Sequence, residues 1–370
     1  MHPNMTDATI RSIAMICLVA VGTTAAACSA ASPTPVAAAA TVAASTVAAS
    51  TVAAPPSQLW VGPPLLISEV LAHTDPPQQD SIELYNNSSA ALNLGGWQLT
   101  DDNKLDPDKM FIIPDGTTLA AGGYQLFTED DFANRFKLSE FGEQVSLWTP
   151  DGQLVDLLKF GVNENGISLN RHMTSDGRTL LWPASASTLG APNAPLHVGP
   201  VVFTQIMYNP TAGAEYLAVT NISASPAPLF DPNAPGNTWR IDGVDFSFPA
   251  NVTLASGETV YIGDGEPASL RTELNLAPAI RIFGPWRGGL AGNGERIALQ
   301  KPQPPETSGA VAFADVDVVE YNDKAPWPSA GNGRWLSRRA PTGFGDDPAE
   351  WQSAETFVLT SVALLPFVVR

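Results

Sequence analysis

Apolar and polar positions alternate in short runs along most of the chain. "SIELYN", "GYQLFTE" and "EQVSLWTPDGQLVDLLKF" place β-branched, leucine and aromatic residues at every second position. Turn residues separate these runs, and Pro150-Asp151-Gly152 marks a hairpin, because proline presets φ and glycine supplies the positive φ a tight turn needs. Period-two alternation puts one face of each strand in a core and the other toward solvent. No long stretch has a helical period; "EDDFANRF" (129–136) alone predicts a helical turn. Many short strands at this spacing predict an all-β chain built as β-sandwich.

The pattern repeats. "LLISEVLAHTDP" (65–76) aligns with "VVFTQIMYNPTA" (201–212), and "SIELYNNSSAA" with "YLAVTNISASP", setting Asn86 against Asn221, 135 positions on. In that register Glu83 faces Ala218, with Glu215 three residues earlier. "FIIPDGTTLAAGGYQLF" matches "FSFPANVTLASGETVYI". Further on, Gly142-Glu143 aligns with Gly294-Glu295 and Arg171 with Arg338. The order is kept while the offset grows, as a duplication with insertions in the second copy requires. The insertions fall near 229–238, 284–289 and 302–310 and read as Pro/Gly-rich loops.

The N-terminus breaks the pattern. Arg11 precedes an apolar stretch that ends in small residues before Cys28, which reads as a signal peptide over residues 1–28 with a lipobox-like end. Three fates remain open: a lipoprotein anchored through Cys28, a soluble secreted protein, and an uncleaved anchor, for which the apolar run is short. All three place the folded part outside the cytoplasm. Residues 29–60 are an Ala/Thr/Pro linker without charges, too poor in large apolar groups to form a core, and expected to be disordered. Residues 358–370 form an apolar tail that reads as a closing strand or a docking tail.

The motifs resemble the lamin-tail domain. "LLISEV", "SIELYN", "LNLGGWQLTDD" with Gly96 and Trp97, "PDGTTLAAGG", "FGEQVSL" and "DGQLVD" follow the order of that family's pattern across residues 61–195. Residues 199–357 resemble a diverged second copy; Trp239 is kept without the Leu-Gly before it. The resemblance implies two tandem immunoglobulin-like β-sandwiches. It also implies a non-enzymatic extracytoplasmic module, of the kind attached in bacteria to secreted hydrolases, nucleases or surface proteins.

Composition and charge narrow the chemistry. The net charge is −18, which makes nucleic acid an unfavourable partner. Both cysteines, Cys17 and Cys28, lie in the leader, so the folded part has neither disulfides nor a thiolate metal site. The histidines lack metal-ligand spacing, and no G-x-S-x-G or phosphate-loop motif occurs. The acidic pairs lack the calcium-loop pattern and read as solvated loops, so no cofactor is expected and weak surface calcium binding is not favoured.

Glu83 and Glu215 stand in or beside apolar strands. A catalytic pair would converge in one cleft, and here each copy offers one. The expectation is structural: each caps backbone amides or pairs with Arg171 or Arg338. Glu143 and Glu295 are expected to bond loop amides beside Gly142 and Gly294. The functional expectation is a binding or structural protein on a stalk that contacts envelope polymer or a surface protein. A membrane contact through an N-terminal lipid is compatible with it. The alternative is an accessory module of a secreted hydrolase or nuclease. Contacts are expected in the second copy's insertions.

Overall fold

A computed structural model of the chain describes residues 62–305 and 309–355. The leader, Cys28, the linker and the apolar tail lie outside the described residues. The chain divides into Met1–Ser57 and Gln58–Arg370, and the fold is that of the second unit.

Strands β1 (Leu65–Leu71), β2 (Ser81–Asn86), β3 (Leu92–Asn93), β4 (Gln98–Thr100), β5 (Phe111–Ile112), β6 (Thr118–Leu119), β7 (Tyr124–Thr128), β8 (Glu143–Trp148), β9 (Leu154–Phe160), β10 (Leu169–Met173) and β11 (Thr179–Pro183) build the first sandwich. Its sheets run β11-β10-β1-β2-β7 and β5-β4-β8-β9, and β3 pairs with β6 at one end. The second sandwich contains β12 (Val201–Met207), β13 (Tyr216–Asn221), β14 (Ala227–Pro228), β15 (Phe230–Asp231), β16 (Ala234–Thr238), β17 (Arg240–Asp242), β18 (Phe246–Ser247), β19 (Thr253–Leu254), β20 (Thr259–Gly263), β21 (Ile282–Phe283), β22 (Gly294–Pro302), β23 (Phe313–Asn322), β24 (Trp335–Arg338) and β25 (Trp351–Ala354).

The second set repeats the first. Its sheets run β25-β24-β12-β13-β20-β21 and β18-β17-β22-β23, with β14 on β19 where the first has β3 on β6. The additions are β21 and the β15–β16 hairpin. Alternation places Ile67, Val70, Ile82, Leu84, Val145 and Leu158 between the first pair of sheets. Phe203, Ile206, Leu217, Val219, Ile297 and Val319 lie between the second pair. Each fully buried leucine or isoleucine contributes about 1.5–3 kcal/mol relative to exposure.

The likeness of the two sets extends to single hydrogen bonds. Asn86 donates through Nδ2 to the carbonyls of Ala90, Leu119 and Ala120 at 2.8, 3.0 and 3.0 Å, and accepts from the Ser88 amide and hydroxyl. Asn221 donates to Ser225, Leu254 and Ala255 at 2.8, 3.1 and 3.1 Å, and accepts from the Ser223 amide and hydroxyl. Only an amide side chain offers two donors and an acceptor at once, so neither Asp nor Leu could replace it.

The sandwiches differ in what covers the outer face of their larger sheets. In the first, the segment after β11 lies over Glu69 and Glu83. In the second, helix α2 (Pro267–Glu273), after the short α1 (Glu129–Phe132) of the first, sets Leu270 on Met207, Tyr216, Ala218 and Tyr261. Ala218 occupies the register position of Glu83 because an apolar cover replaces a polar one.

One sequence expectation is corrected: residues 229–238 are not simply loop, because β15 and β16 pair as a hairpin. Residues 284–289 are loop, with Trp286 buried in the core. The sequence reading also missed α2, whose seven residues bury only Leu270 and so give no helical period. Among the described residues, no helix is long and apolar enough to cross a membrane.

Candidate functional site

β1 and β12 each carry a bulge, between Ile67 and Glu69 and between Phe203 and Gln205. A bulge leaves backbone groups without ladder partners. In the first sandwich Asp156, from β9 in the opposite sheet, accepts from the Ile67 amide at 2.9 Å. Arg171 joins Asp156 at 2.6 Å and donates to the Ile67 carbonyl at 3.3 Å. In the second, Asp317 accepts from the Phe203 amide at 2.8 Å. Arg338 joins Asp317 through two nitrogens at 2.7 and 3.1 Å and reaches the Phe203 carbonyl at 3.0 Å. These buried clasps tie the two sheets of each sandwich together.

The expected pairing of Glu83 with an arginine is therefore wrong: Arg171 and Arg338 are held by Asp156 and Asp317. The backbone-capping half of the expectation holds. Glu83 accepts from the Gly190 amide, and Glu215 from the Leu290 amide at 2.7 Å. Glu83 stands opposite Glu69 across β1 and β2, and neither is solvent-exposed. Glu69 takes the Thr188 amide at 3.0 Å and the hydroxyls of Ser187 and Thr188 at 3.2 and 2.7 Å. Burial, assisted by the Glu69 charge, pushes the Glu83 carboxyl up to about 7. Its Oε1 is buried away from solvent.

Glu143 accepts from the Ser139 amide at 2.6 Å, and Glu295 from the Ala291 amide at 2.8 Å. Burial pushes Glu143 up to about 7 and raises Glu215. Gly142 and Gly294 have φ of 92° and 114°, and a Cβ would come within 2.7 Å of the Phe160 carbonyl or 2.5 Å of the Tyr321 carbonyl. Gly96 turns the chain at φ 81°, and the half-buried Trp97 packs on the first core. All of these singled-out residues sit in scaffold positions, and they do not converge on one site. Sequence reasoning missed Asp156 and Asp317. The signal was a lone carboxylate on the buried face of each strand.

A feature with room for a ligand lies between the sandwiches. Two adjoining hollows of about 520 and 590 Å³ share Val162, Asn163, Glu164, Phe230, Pro232 and Lys301. One wall is the β9–β10 loop of the first sandwich. The other is the β15–β16 hairpin with residues 302–305, from two of the three predicted insertions. Lys301 crosses the gap to Glu164 at 2.6 Å. His73 meets Glu140 at 2.9 Å, with its other ring nitrogen 2.7 Å from the Asn163 carbonyl.

Beside the cleft the sandwiches are joined directly. Arg178 bonds Asp346 at 2.8 Å, the Asp346 carbonyl at 2.7 Å and Glu320 at 3.0 Å. Asp347 accepts from the Ser175 amide at 3.0 Å and from its hydroxyl. Phe344 packs edge-on to His172 and Trp182, at centroid distances of 5.3 and 5.1 Å. The connecting segment is pinned as well: the Trp182 indole donates to the His197 carbonyl at 3.0 Å, and the His197 amide to Pro183 at 2.7 Å.

With this geometry in view, the lamin tail domain family matches residues 61–161, from before β1 to just past β9. Those residues form the larger part of the first sandwich, an immunoglobulin-like β-sandwich in that family. Among solved structures, a DUF4876 family protein from Bacteroides thetaiotaomicron is similar at 12% identity, with a TM-score of 0.30, covering 82% of this chain and 99% of that one. No curated protein matches.

Proposed function

We propose that the protein is a non-catalytic binding module acting outside the cytoplasm, made of two lamin-tail-like sandwiches in tandem. The observation that carries the reading is the inter-sandwich cleft, walled on one side by insertions present only in the second repeat. The carboxylates support it too: the buried Glu83 and the partly buried Glu143, Glu215 and Glu295 each bond a backbone amide, a scaffold duty. The Asp–Arg clasps and the repeated Asn86 and Asn221 networks support reading residues 199–357 as a diverged copy of the first domain. The leader read from the sequence supports export, with anchoring through Cys28 as one route.

The test is sedimentation of the purified protein with envelope material of the producing cell, at low and high salt. Saturable binding that survives high salt is the expected result. Absence of binding to envelope polymer and to envelope proteins alike would overturn the reading.

A further inference from the structure

The cleft, taken as the binding place, has a chemical character that narrows its occupant. Its walls are open at two hollows in series, a trough suited to a chain rather than to one compact group. Four large hydrophobic side chains are strongly exposed among the described residues, and two of them, Phe141 at 46% and Ile167 at 37%, line this trough. Apolar surface concentrated at a concave site marks a contact surface.

The charges are unbalanced in one direction. Lys301 and the His73 ring, both at the cleft, are already engaged by Glu164 and Glu140. Among the described residues, Asp75 and Asp231 meet neutral donors: the Asn165 amide group at 2.5 Å and the Asn233 backbone amide at 2.8 Å. A ligand with positive charge is favoured there, and an anionic polymer is opposed both locally and by the net charge of −18.

We propose that the cleft holds an extended peptide segment of a partner protein in which apolar side chains alternate with lysine or arginine. The apolar groups would lie on Phe141, Ile167 and Phe230, and the cations on Asp75 and Asp231. This rests on the binding reading above and specifies its partner.

The experiment measures fluorescence anisotropy of three labelled twelve-residue peptides with the full-length protein: four repeats of Lys-Pro-Leu, of Glu-Pro-Leu and of Lys-Gly-Ser. Lys-Pro-Leu is expected to bind saturably, the other two at least about tenfold more weakly, a factor typical of losing a few contacts. Asp75→Asn with Asp231→Asn, and separately Phe141→Ser, should each weaken Lys-Pro-Leu binding about tenfold. These three positions are exposed or half-exposed, so melting curves should not move. Equal binding of Lys-Gly-Ser, or no effect of the substitutions, would show attraction by net charge and overturn the proposal. Peptide binding absent while envelope sedimentation persists overturns the peptide partner but spares the binding reading. Loss of both overturns both.

Discussion

Glu83 is a carboxyl whose environment favours its proton. It lies buried against Glu69 with one oxygen bonded to the Gly190 amide. Its folded value of about 7 lies above the roughly 4.3 of an unfolded glutamate. The folded state therefore holds more protons between those values, so this contribution is fully present below about pH 4 and is lost as pH rises through 7. Glu143, also pushed up to about 7, acts in the same direction. Glu83→Gln retains an acceptor for Gly190 and removes the charge. It should leave the melting temperature nearly unchanged at pH 5, raise it at pH 8, and flatten the decline between. Thermal melts across that range check this. A steeper decline in the variant would show that Glu83 is stabilising as a carboxylate. Arg338 is the opposite case, a buried cation held by Asp317. Arg338→Leu leaves that carboxylate uncompensated and should cost about 3–5 kcal/mol in urea unfolding.

At the scale of elements, the strands were legible because period-two alternation states directly which residues face the core. The likeness of the two strand sets was legible because Asn86 and Asn221, or Gly142-Glu143 and Gly294-Glu295, do the same local work in the same order. The partners of Arg171 and Arg338 were not. Pairing across the two sheets of a sandwich is set by which strand lies beneath the bulge, and sequence spacing carries no such information. Helix α2 escaped for a different reason: it is held by tertiary burial of Leu270 rather than by its own periodicity. Leu270→Ala should therefore cost about 2–5 kcal/mol. It should also increase hydrogen exchange in α2 and β20 before the strands of the first sandwich. Uniform loss of protection across both sandwiches would instead mean that α2 is part of one common cooperative unit.

The whole molecule depends on how firmly the two sandwiches are joined, because the cleft has one wall from each. The contact has an apolar part and an ionic part, and their exposures rank them. Phe344, 8% exposed, fills the space between His172 and Trp182. Lys301 and Glu164 are 37% and 42% exposed, so their pair contributes at most about 1 kcal/mol. Arg178 is intermediate: its bridge to the exposed Glu320 is weak, while Asp346 is buried. Burial outweighs the attraction of Arg178 and pushes the Asp346 carboxyl up to about 6. Phe344→Ala should therefore loosen the joint more than Lys301→Ala, by a cost on the order of 3 kcal/mol for a buried aromatic. In calorimetry the native protein should unfold with the sandwiches coupled, whereas Phe344→Ala should separate two transitions, and small-angle scattering should show a larger radius. Raising salt should change little in the native protein, since the dominant contact is apolar. If salt alone separates the transitions, the ionic pairs are the joint. The cleft would then be assembled by charge, and its ligand affinity should fall with the same salt dependence.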